Sequence, residues 1–209
     1  MSNAAQRINY PLGLPPGSVR AILSIFITGM FLVLAVYPVP EGSPPLRIPL
    51  FLFALLPMVL LFYIAHGRSI RPPDEKVYSP LYLPRGTIRV LLTVAFLGIL
   101  GYQYFTNHDE LIARLTPDPA EVWKVPPLMF AIMIGFLIGH VLRIGPWSNS
   151  PIYQNFMAWA SLIALLLLVV DVVLEFFVKP SVQGQFDFDP FTFEAILCAV
   201  IAFYFGARS

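Results

Sequence analysis

The chain has 209 residues, 57% hydrophobic and only 12% charged, with a mean hydropathy of +0.75. Soluble domains carry roughly a quarter charged residues, so this composition excludes an ordinary soluble domain and makes lipid the natural solvent. A net charge of +1 with no run of Lys or Arg gives no field to recruit nucleic acid, and the single cysteine, Cys198, excludes an intrachain disulfide or a cysteine metal site.

Residues 1–18 are polar and carry Pro, Gly and Arg7, without a short apolar core before a small-residue cleavage site. They read as a cytoplasmic N-terminal segment with no removable signal, so the first span serves as its own insertion signal. Six apolar stretches follow, at residues 19–37, 48–66, 87–105, 125–142, 152–174 and 191–207. Each matches the roughly 20 apolar residues needed to cross a bilayer as a helix, and all are too long for barrel strands. The fold class expected is therefore all-α: one polytopic transmembrane bundle over residues 1–209.

Alternate sides of such a bundle receive different charges. One side takes Arg7, Arg20, Arg68, Arg71, Lys76, Arg85, Arg89, Arg143 and Arg208, with Asp74 and Glu75 alone opposing them. The other takes Arg47, Arg114, Lys124 and Lys179, together with Glu41, Asp109, Glu110, Asp118, Glu121, Glu175, Asp187, Asp189 and Glu194. The positive-inside rule then puts both termini in the cytoplasm, as in a bacterial inner membrane. An odd number of spans would split the basic set.

An internal match adds to this order. Leu14, Pro15, Gly17, Arg20, Leu23 and Gly29 recur, without a gap, as Leu83, Pro84, Gly86, Arg89, Leu92 and Gly98. The next spans match more faintly, with Pro49, Phe53 and Ala54 against Pro126, Phe130 and Ala131, which implies a longer outer loop in the second unit. The chain so reads as tandem parallel hairpins over residues 14–70 and 81–145, with a third pair at 151–209 whose lead-in, Asn149, Ser150 and Pro151, echoes the others only loosely.

In each lead-in Pro and Gly set a turn, and Ser18 or Thr87 is expected to cap the helix that follows. Arg20 and Arg89 then put a cation in a first helical turn, against the helix dipole, at a cost of about 0.3–1 kcal/mol. Anionic headgroups of the cytoplasmic leaflet or the C-terminal carbonyls of neighbouring spans can compensate. Either lipid contact or a link from one hairpin to another hairpin or subunit accounts for these arginines.

Later in the chain, Gly135 and Gly139 form a GxxxG pair, and Ala195, Ala199, Ala202 and Gly206 form a small-residue stripe. Such faces let helix backbones approach closely in lipid, within one chain or between subunits. Asp171 and Glu175, four apart on one helix, and Glu194 at a similar depth make a candidate cation or proton site. His66 and His140 are equivalent in the two hairpins, but neither has a second ligand at a helical offset, so no cofactor is expected. Catalytic motifs such as HExxH, CxxC or a nucleophile elbow are absent.

These features predict a non-catalytic membrane subunit or scaffold, working with lipids and as a homo-oligomer or beside other membrane-protein subunits. The alternative they leave open is a small channel or transporter using the acidic cluster, with Pro57 kinking the second span.

Overall fold

The computed structural model describes residues 17–38, 47–66, 80–84, 86–119, 121–146, 150–174 and 191–207. The N-terminal segment up to residue 16, residues 67–79, Arg85, Glu175, Asp187 and Asp189 lie outside the described residues. Within them the chain is all-α, with no strand. Its helices are α1 (Ser18–Val36), α2 (Leu50–His66), α3 (Thr87–Thr106), α4 (His108–Leu115), α5 (Val125–Ile144), α6 (Pro151–Val173) and α7 (Phe191–Ala207).

Four helices are long and apolar enough to cross a membrane: α1, α3, α5 with the turn before it, and α6. The other two apolar helices, α2 and α7, have 17 residues each. At about 1.5 Å per residue they are about 26 Å long, close to the hydrocarbon thickness of roughly 30 Å. Each expected span coincides with one helix to within a few residues.

Position in the bundle follows from how apolarity is distributed. Apart from Thr192 and Glu194 at the start of α7, helices α2 and α7 are apolar around their circumference, the pattern of an interior helix. Phe51, Leu52, Leu55 and Val59 of α2 are accordingly buried, as are Leu197, Cys198, Ile201 and Phe205 of α7. With α1 they form the core. Helices α3, α5 and α6 flank it and turn rows such as Val94 and Leu97, Met133 and Leu137, and Trp159 and Leu166 outward.

Ring contacts fix the helix directions. Phe31 meets Phe53 edge-on at 5.5 Å, and the Arg20 guanidinium lies over the Phe62 ring, so α1 and α2 run antiparallel. Phe62 also meets Phe205 at 5.1 Å, so α2 and α7 run parallel. Trp123 and Phe191 pair at the starts of α5 and α7, which are parallel as well. Phe156 of α6 meets Phe203 of α7 at 6.1 Å, near the start of one and the end of the other. One end of the bundle thus gathers Arg20, Arg89 and Arg143, and the opposite end Arg47, Asp109, Glu110, Arg114, Asp118, Glu121 and Lys124.

Local geometry repeats where the sequence does. Gly17 (φ 85°, ψ −5°) and Gly86 (φ 83°, ψ −10°) both turn the chain into a helix from the left-handed region, where glycine avoids a penalty of about 1 kcal/mol or more for an L side chain. The capping expected of Ser18 and Thr87 is not what forms. Each glycine occupies the cap position, so Ser18 is already helical, and neither α1 nor α3 has a side-chain cap. The Ser18 hydroxyl instead accepts the Leu81 N–H at 2.9 Å, fastening the lead-in of α3 to the start of α1. A side-chain cap does form at α6, where Ser150 Oγ accepts the Tyr153 N–H at 3.1 Å.

Candidate functional site

The small residues expected to form packing faces lie against one another. A Cβ on Gly135 would overlap the Ala199 carbonyl, one on Gly139 the Phe203 carbonyl, and one on Gly206 the Phe136 carbonyl. Helices α5 and α7 make the most extensive helix contact among the described residues, with the glycines of one helix meeting the backbone of the other. In lipid this approach maximises dispersion contact and brings Cα–H groups to carbonyls. Ala195 and Ala199 are half-buried and Ala202 buried along the same helix.

Of the acidic cluster, Asp171 on the last turns of α6 and Glu194 on the first turn of α7 are both buried. Asp171 and Glu194 thus each lie inside the packed part of the bundle, on α6 and on α7. Glu175 is outside the described residues, and among those described no group of three or more His, Cys, Asp or Glu is arranged to hold a metal ion. His140 stacks on Phe136 at 6.2 Å, a packing contact.

A polar device that the sequence reading passed over occupies the opposite end from Arg20. The stretch expected as a longer outer loop contains α4, with Asp109 and Glu110 in its first turn and Arg114 in its last, the arrangement a helix dipole favours. Leu111 and Arg114 face inward. Arg114 is only 1% exposed; it donates to the Leu34 carbonyl at 2.9 Å and pairs with Glu110 one turn back. Leu34 is in the last turn of α1, where carbonyls have no partner within the helix, so Arg114 closes the end of α1. Close by, Arg47 before α2 pairs with Asp118 after α4.

The two arginines singled out by the internal match have different surroundings. Arg20 is half-buried over Phe62 in the last turn of α2, 4.6 Å from the ring centroid. One turn on, Ser24 lies beside Tyr63, and its hydroxyl donates to the Arg20 carbonyl at 2.7 Å. The cation that faces the wrong end of its own dipole therefore sits at the negative end of α2, on an aromatic face. Arg89 is exposed, and so is Thr93 one turn along α3.

Helix α3 is the least enclosed of the four long helices, with 17% of its span buried against 56% for α1. A recess of about 550 Å³ separates it from α1, walled by apolar side chains and by Gly29 and Gly98, where an added Cβ would meet nothing within 4 Å. Thr28 lines the same recess, and its buried hydroxyl has no hydrogen-bond partner among the described residues. A second recess of about 560 Å³ runs over Gly86, Thr87, Val90 and Val94. No protein-family model matches the chain, and neither does any curated protein or solved structure.

Proposed function

We propose that the chain is a non-catalytic integral membrane subunit that assembles with other membrane-protein chains, its six apolar helices all crossing the bilayer as tandem hairpins. The observation that carries this reading is the state of α3, little buried and bordered by two recesses, one of them walled by glycines and by the Thr28 hydroxyl. Helix association in membranes uses such small residues and hydroxyls, because apolarity alone does not distinguish a partner helix from lipid. The small-residue faces of α5 and α7, by contrast, are spent on each other.

The alternating helix directions and the gathering of Arg20, Arg89 and Arg143 at one end support six crossings with that end cytoplasmic. Anionic headgroups are the lipid partners such an end selects, and a bacterial cytoplasmic membrane is the setting it fits. The matching left-handed Gly17 and Gly86 support the repeat.

Native mass spectrometry of the gently solubilised protein tests the reading. A defined complex carrying a further protein chain is the expected result; a bare monomer under all mild conditions overturns it. A second reading, a channel or transporter, is favoured by the burial of Asp171 and Glu194 inside the bundle. Ion flux into proteoliposomes that is lost in Asp171→Asn would establish it in place of the first.

A further inference from the structure

Helices α1 and α3 match over their first halves, yet the same face of each meets different surroundings. On both, the face containing Val19 and Leu23, or Ile88 and Leu92, is buried in the core. The adjoining face of α1, with Arg20, Ala21, Ser24 and Thr28, is covered: Arg20 lies over Phe62, Ser24 lies beside Tyr63 and is 0% exposed, and Ala21 and Thr28 are 0% and 1% exposed. The corresponding residues of α3 are Arg89, Val90, Thr93 and Leu97. All four are exposed, Val90 by 61% and Leu97 by 65%. The cation and the hydroxyl one turn apart, which on α1 receive an aromatic pair from an antiparallel helix, are thus reproduced on α3 and left open.

The helix that would cover this face by analogy is α5, but it carries Gly139 and His140 where α2 has Phe62 and Tyr63, and those positions serve its contact with α7 and Phe136. We infer that the Arg89, Val90, Thr93 and Leu97 face of α3 docks a transmembrane helix of a different protein, antiparallel to α3, with an aromatic pair in its last cytoplasmic turn. A second copy of this chain is a poor fit. Among the described residues, the helices ending at the arginine side have no aromatic in that turn (α5) or hold theirs half-buried or buried (Tyr63 of α2; Phe203, Tyr204 and Phe205 of α7). An anionic headgroup can pair with Arg89 but offers no partner to the Thr93 hydroxyl one turn deeper, and a lipid chain offers none to either. A cation–π contact, with a polar partner beside the hydroxyl, supplies recognition that apolar contact in lipid does not.

The inference rests on the reading of the chain as an assembly subunit, and its test uses a probe whose fit to such a face is visible in α2 itself. The full chain, with Cys198→Ser and a donor dye on Asn107→Cys, is placed in phosphatidylethanolamine and phosphatidylglycerol nanodiscs. It is titrated with a peptide of residues 47–66 carrying an acceptor at its N-terminus. Antiparallel docking brings the two dyes to the same end of the bundle. The expected result is saturable energy transfer, weakened about tenfold or more by Arg89→Gln with Thr93→Val in the protein, and likewise by Phe62→Ala with Tyr63→Ala in the peptide. Absent or non-saturable transfer, or transfer indifferent to either pair of changes, overturns the inference. Because Arg89 and Thr93 are exposed, the double variant keeps its thermal midpoint, so a lost signal is not lost folding. A complex in native mass spectrometry alongside Arg89-independent transfer leaves the subunit reading standing and removes this one; a monomer alongside Arg89-dependent transfer does the reverse.

Discussion

At the scale of single residues, Arg114 illustrates how much depends on where a charge ends up. It is one of four basic residues on the acidic side of the charge sorting, and nothing in that tally separates it from Arg47. In the structure Arg47 pairs with Asp118 where both side chains are nearly half exposed, whereas Arg114 is buried on the Leu34 carbonyl. An exposed pair contributes about 0–1 kcal/mol, and a stranded buried carbonyl costs about 1–3 kcal/mol. Arg114→Met is therefore expected to lower unfolding stability in detergent by about 2 kcal/mol, and Arg47→Ala by less than about 1 kcal/mol. Equal effects in thermal or denaturant melts would show that Arg114 does not close α1. The unusual placement of Arg20 was legible, since a cation in a first turn calls for compensation; its aromatic partner was not, because Phe62 belongs to a different helix.

Elements were the most legible level, and the reason is bilayer physics. Every apolar stretch read as a span corresponds to a helix, the form in which a single segment satisfies its own backbone groups. Helix α4 was missed although its signals were present, with acidic residues, an apolar pair and then Arg114 over eight positions; attention to apolar length alone passes over so short an amphipathic helix. The sequence also could not say which helices the glycines join, since α5 and α7 are separated by the whole of α6. The structure divides these glycines into two kinds with opposite expected outcomes. Gly135→Ala forces a Cβ onto the Ala199 carbonyl and should cost on the order of 1–3 kcal/mol. Gly98→Ala meets open space and should leave stability unchanged or raise it by up to about 1 kcal/mol, since alanine is the better helix former. Melting temperatures of the two variants side by side test the division, and a destabilised Gly98→Ala would contradict it.

For the whole molecule, the arrangement to be tested is the sorting of ends. Asn107 and Pro146 are exposed at opposite ends of the bundle. Single cysteines there, in a Cys198→Ser background, should react with a membrane-impermeant maleimide in intact cells at residue 107 alone, and at residue 146 only after the membrane is opened. Labelling of both in intact cells would break the alternation.

The pairing of α5 with α7 also bears on how the chain is made. On the proposed six crossings, with helices entering the membrane in order of synthesis, the seam at Gly135 and Gly139 faces lipid until residues 191–207 follow α6. During that interval the polypeptide presents a bare strip of main chain that a membrane-bound protease or chaperone can grip. A nascent chain stalled after α6 should therefore be shorter-lived than one that includes α7, which makes α7 the helix that seals this strip against degradation.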